Sequence, residues 1–274
     1  MTIAIGTSEE TAFSQDRLSG TTRTNAIDRW IYVFTAASLI AIVFTGFIPD
    51  SFMKVAAVGA GQRPPFPPIL HVHAVLMGSF LLLLLAQTVL VATGRRNWHM
   101  QLGVAAAVLA PAIVISGFIL VPTMYHATWN AAHFGPAPVR QQLQTVLPVI
   151  DDILLMQLRV AFLFSVCMGI ALWSRTRNSG VHKRLVILAI ATALPAAFDR
   201  MQWLPTTMPN SPLGADFYSI LAFSPMFIWD LIRNRGVHRA YWIFAAFFLP
   251  VTVLVYALWD KPWWHVTARQ IMGV

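Results

Sequence analysis

Apolar residues along this chain come in blocks of roughly 20, with polar residues gathered between them. That length matches the hydrocarbon core of a bilayer. The blocks place helices at about 29–48, 69–92, 100–121, 149–173, 184–204, 216–232 and 240–259. Helix is the expected conformation, because a segment in lipid must satisfy its own backbone hydrogen bonds. A membrane barrel strand would alternate apolar and polar residues, and the run Phe80-Leu81-Leu82-Leu83-Leu84-Leu85 does not. The pattern predicts an all-α polytopic membrane protein of about seven transmembrane helices, an anchor helix followed by three hairpins. Residues 1–26 form a polar tail, 27–259 the transmembrane domain and 260–274 a C-terminal segment. In that segment Trp263, Trp264, Ala268, Ile271 and Met272 recur at near-helical spacing and fit a helix along the membrane interface.

Basic residues orient the spans. One set of connections holds Arg17, Arg23, Arg29, Arg95, Arg96, Arg175, Arg177, Lys183, Arg184, Arg233, Arg235 and Arg239. The other holds Lys54, Arg63, Arg140, Lys261 and Arg269. The positive-inside rule then puts the N-terminus on the cytoplasmic side and the C-terminus outside. The polar start of the chain lacks the features of a cleavable signal, so the first block reads as a signal anchor.

Composition agrees. Of 274 residues 57% are hydrophobic and only 11% charged, against about 25% charged in a soluble domain. The net charge of +8 does not indicate nucleic acid, because the basic residues punctuate the apolar blocks and form no single patch. Lipid headgroups are the expected partners, together with other membrane subunits or a second copy of the chain. Cys167 is the single cysteine, which excludes an internal disulfide and cysteine-based haem attachment. Pro111, Pro195, Pro225 and Pro250 fall inside spans, where each removes one backbone hydrogen bond.

Three connections resemble one another: Gly94-Arg95-Arg96-Asn97-Trp98-His99, Arg177-Asn178-Ser179-Gly180-Val181-His182 and Arg233-Asn234-Arg235-Gly236-Val237-His238. Each ends in a histidine that opens the returning helix. His99, His182 and His238 are therefore an inner candidate metal set, or else boundary histidines that meet headgroups.

The ionisable residues inside spans carry the main functional signal, since such groups are expensive in lipid and mark partners or cavities. Arg159, Asp199 and Arg200 form a candidate charge network, with Arg200 expected to face Asp152 and Arg159 expected near a carboxylate. His71, His73, Asp151 and Asp152 open helices from the outer side and are the outer metal candidates, with His73 the favoured cofactor ligand. His73 and His99 lie about 39 Å apart along one path, so they cannot share an ion or a haem. The connection 122–148, with Tyr125, His126, Trp129 and His133, is a candidate lid or an aromatic belt.

Metalloprotease, phosphate-loop, dinucleotide and CxxC motifs are absent, as are the histidine boxes of membrane hydroxylases and a mid-helix lysine in the seventh span. Several short segments are distributed over the chain: Gly46-Phe47, His71-Val72-His73-Ala74 with Gln87, Gly94-Arg95 with His99 and Leu102-Gly103, His182-Lys183-Arg184-Leu185, and Asp230 with Gly236-Val237-His238. Through them the chain resembles a widespread, poorly characterised group of small bacterial inner-membrane proteins. The resemblance implies helical hairpins in that membrane and brings no activity. Met100 and Phe80 depart from the group, where Arg and Trp are usual.

The sequence thus leaves three functional classes open. The first is a redox or metal-dependent membrane protein with an outer-leaflet His/Asp/Arg site, holding a transition metal or haem b. The second is a transporter of a small solute or protons. The third is an accessory or assembly subunit whose charges are structural.

Overall fold

The computed structural model of the protein describes Asp16, Leu18 and residues 25–274. Most of the polar tail expected over 1–26 lies outside the described residues. The described residues form helices and no strands: α1 (Ala26–Gly59), α2 (Pro68–Ala92), α3 (Arg96–Phe134), α4 (Ala137–Ser174), α5 (Ser179–Ala191), α6 (Pro195–Phe198), α7 (Leu213–Asn234), α8 (Arg239–Leu258) and α9 (Pro262–Met272). Seven spans are long and apolar enough to cross a membrane, α5 and α6 together making the fifth. The bundle end that holds Asn25 is here the N-terminal face, and the end that holds α9 the C-terminal face.

Local chemistry sets the helix ends. Proline pairs precede or open α2 and α4, where a missing N–H is harmless. The Asn178 side chain caps α5 by accepting from the Val181 N–H at 3.0 Å. His238 caps α8, its Nδ1 accepting from the Ala240 N–H at 3.1 Å. Burial lowers the His238 pKa, which keeps that ring nitrogen free to accept. Pro111 and Pro250 sit inside unbroken helices, but the fifth span breaks between Ala191 and Pro195. Pro195 has no N–H to offer the Ala191 carbonyl, and the chain turns there instead of continuing.

The fifth span is the centre of the bundle. Its apolar window is 67% buried, against 17% for those of α2, α3 and α8. Helix α5 packs against α4, α7, α8 and α1, and α6 packs against α1 and α7. Gly46 permits the α1–α6 contact, because a Cβ there would lie 2.3 Å from the Ala197 carbonyl oxygen. The poorly buried helices present Phe118, Val104, Leu82 and Trp242 outward, as lipid-facing surfaces do.

Two expectations change. Helices α3 and α4, of 39 and 38 residues, reach about 57 Å and far exceed a 30 Å hydrocarbon core. Residues 122–148 are therefore the tip of a helical hairpin broken only at Gly135-Pro136, not a long loop. The C-terminal segment forms α9, which docks on α4 and α3. Its Trp264, Ala268 and Met272 enter a small second core with Tyr125, Leu154, Leu155 and Trp259, while Trp263 and Ile271 stay exposed.

Candidate functional site

Buried charge concentrates at three levels. At the N-terminal face Arg184, in the second turn of α5, is completely buried. Its guanidinium donates to both carboxylate oxygens of Asp230 (2.5 and 2.8 Å), to both of Asp16 (2.9 Å each) and to the Gly180 carbonyl (3.0 Å). Lys183 pairs with Asp16 at 2.6 Å and donates to the Leu18 carbonyl. Burial raises the Asp16 carboxyl, but Arg184 and Lys183 outweigh it and hold the group well below the usual carboxylate range. Beside this knot Asp28 accepts from Arg233 (2.8 Å) and from the Trp229 indole (2.8 Å). Gly180 lies in the knot because a side chain would strike His238 Nε2 at 2.9 Å and Asp16 at 3.0 Å.

The inner histidines do not form one cluster. His182 Nδ1 donates to the Ala171 carbonyl at 2.8 Å, His238 caps α8 beside Arg184, and His99 Nδ1 has no hydrogen-bond partner among the described residues.

The second level lies within the bundle. Arg159 on α4 holds Asp216 on α7 through two hydrogen bonds of 2.7 and 2.6 Å, and Tyr256 on α8 donates to the same carboxylate at 3.1 Å. The Arg159 and Asp216 side chains are 2% and 8% exposed. Arg159 is about 22 Å from the Ser174 end of α4, Asp216 about 27 Å from the Asn234 end of α7 and Tyr256 about 26 Å from the Arg239 end of α8. The α5–α6 break begins at a similar depth, about 20 Å from Ser179. A small cavity joins these features. Arg159, Asp216, Thr192, Pro195 and Ser219 line it, with Phe223, Phe244 and Phe248 as apolar wall.

The third level is the C-terminal face. Asp151, fully buried on α4, accepts from the Tyr125 hydroxyl at 2.5 Å and from Arg269 at 3.1 and 3.2 Å. Its carbonyl accepts from the Trp264 indole at 2.9 Å. Asp152 accepts from the Asp260 backbone N–H at 3.1 Å. Oxygen or nitrogen atoms of Asp152, Asp260 and His265 all lie within 4.8 Å of one another, the one such cluster among the described residues.

The outer candidates therefore separate. His73 Nδ1 meets the Ser116 hydroxyl on α3 at 2.8 Å. Ser116 spends its own proton on the Ile113 carbonyl, so His73 is the donor and ties α2 to α3. His71 stands edge-on to Phe66. Neither joins Asp151 or Asp152, because those carboxylates face α9 and the α3 tip. Arg200 does not face Asp152. It pairs with Asp50 at 3.3 Å and stacks on Phe47 at 4.4 Å, since α6 carries it to α1. Arg159 meets a carboxylate, that of Asp216. Asp199, at the end of α6, is exposed and makes no ion pair among the described residues, but it lies near enough to feel the charges of Arg200, Asp216 and Arg159. His126 and His133 are bonded within the hairpin tip and α9, to the Met272 and Trp129 carbonyls.

Sequence reasoning missed Asp16, Asp28, Asp216, Tyr256, Asp260 and His265. Asp216 was the most findable, being a carboxylate inside a predicted span. The helices fit a multi-pass integral membrane protein with charged residues paired inside it. No protein-family model matches the chain, and neither a curated protein nor a solved structure matches it.

Proposed function

We propose that the chain is a proton-coupled carrier of a small anion, working through Arg159 and Asp216. The observation that carries this reading is a bidentate ion pair buried beside a cavity at the depth where the central span breaks. In low dielectric the pair is neutral as a unit. A proton on Asp216 would leave Arg159 as an uncompensated cation, and an anion on Arg159 would leave Asp216 uncompensated. Proton and anion are therefore bound together. Tyr256 holds the carboxylate that Arg159 would release, and the broken helix supplies backbone able to move beside the Arg159–Asp216 pair. A redox reading built on a histidine-held metal has less support, because no three of His71, His73, His99, His182 and His238 come within ligand reach of one another among the described residues.

The test is the purified protein in liposomes that enclose a pH-sensitive dye. Lactate, nitrate and chloride gradients are imposed in turn. At least one should drive proton entry well above that of protein-free liposomes, and Asp216→Asn should abolish the coupling. If no anion moves protons beyond the protein-free rate, the reading fails.

The proposed setting is a bacterial inner membrane, with the N-terminal face in the cytoplasm and lipids as partners. The basic residues of the N-terminal-face turns support it. A reporter fused after Val274 should signal from the periplasm, and a cytoplasmic signal would reverse the orientation.

A further inference from the structure

We propose that Asp152, Asp260 and His265 form a binding site for a divalent first-row transition-metal ion of the zinc type at the C-terminal face. The inference is independent of the carrier reading, since the site lies outside the Arg159–Asp216 cavity.

The backbone first places the ligands. Helix α8 ends at Leu258, and Asp260 turns the chain into α9 with φ of 55°. Few residues other than glycine, asparagine and aspartate take that conformation readily. The Asp260 N–H binds Asp152 in this turn, which fixes one carboxylate against the other. One turn into α9, His265 arrives between them and Asp151.

Charge then argues for a cation. The Asp152 side chain is almost fully buried, and no Lys or Arg lies within ion-pair distance of it among the described residues. Asp260 brings a second carboxylate. The guanidinium of Arg269, on the same helix as His265, is committed to Asp151. Asp260 is 82% exposed, so water screens part of the repulsion, and a divalent ion held together with His265 would remove what remains.

The imidazole geometry fits an ion better than a hydrogen bond. His265 Nε2 is 3.6 Å from an Asp260 oxygen, and Nδ1 is 3.5 Å from an Asp151 oxygen and has no hydrogen-bond partner among the described residues. Metal bonds of about 2.1 Å set neighbouring atoms of a tetrahedral site about 3.4 Å apart. The Nε2–oxygen spacing is of that size. An ion on Nε2 would leave Nδ1–H facing Asp151, the carboxylate–histidine–metal relation that orients a ligating ring. Asp151 is itself held by Tyr125 and Arg269, so the orienting group is rigid. Oxygen ligands alone would favour calcium or magnesium, and the imidazole shifts the preference to zinc and its neighbours.

The test uses the full-length, tag-free chain in detergent micelles, stripped with a chelator and titrated calorimetrically with zinc chloride. The parent should bind one ion per chain saturably, and zinc should raise its melting temperature. Asp260→Asn keeps the turn conformation and removes one ligand; His265→Gln removes another. Each should weaken zinc binding by about tenfold or more and lose the thermal shift. His71→Gln, on exposed α2 surface, should bind as the parent does. Gel filtration of each variant checks folding. No saturable zinc binding by the parent, or parental affinity in both Asp260→Asn and His265→Gln, overturns the site.

Discussion

Arg184→Met should destabilise the protein by about 3–5 kcal/mol, because it leaves the buried Asp230 carboxylate without its cation. Asp16 would keep Lys183, but it loses the two hydrogen bonds that dock it on α5. Arg184→Lys should recover little. Five donors in a planar fork serve two carboxylates and a carbonyl here, and an ammonium on a flexible stem cannot reproduce that arrangement. Asp16→Ala should cost less than Arg184→Met, since Arg184 retains Asp230 and the Asp16 side chain is 23% exposed. Unfolding of the three variants in mixed micelles gives the order. A midpoint for Arg184→Met equal to the parent's would mean that the knot adds nothing to stability.

Arg159→Met and Asp216→Leu should each lose about 3–5 kcal/mol as single changes, whereas the double variant should return to parental stability or exceed it. Each single change strands a charge in an apolar site. The double change removes both desolvation costs and leaves side chains of comparable apolar character beside Phe223, Phe244 and Phe248. The same unfolding assay reads this cycle. A double variant as unstable as the singles would show that Tyr256 or the cavity needs the pair for structure. In the liposome assay the double variant should remain folded and lose proton coupling. Stability kept with coupling lost separates a working ion pair from one that only ties α4 to α7.

These two sites differ in how far the sequence disclosed them. The Arg184 knot left a trace in the repeated turns, where Gly180-Val181-His182-Lys183 and Gly236-Val237-His238-Arg239 share a pattern. The basic residues there read as topology signals, and only packing shows that one of them is buried in ion pairs. Arg159 was visible as a charge inside a span, and the cost of an unpaired ion in lipid required a partner for it. The identity of that partner was not visible. Asp151 and Asp152 lie on the same helix as Arg159, but they turn toward α9 and the segment before it.

What the sequence determined by itself is the all-helical fold and the seven spans long and apolar enough to cross a membrane. Those follow from local hydropathy, because the solvent imposes the helix and its length segment by segment. Tertiary structure decided every lateral relation. Arg200 and Asp152 were expected to meet, yet α6 packs on α1 and delivers Arg200 to Asp50. His73 was matched with the carboxylates and instead bonds Ser116 on the neighbouring α3. The cluster of Asp152, Asp260 and His265 exists only because α9 folds back onto α4. Position along a helix gives one coordinate, the distance along its axis. The other two come from which helices pack together and how each is rotated, and side-chain packing between distant segments sets both.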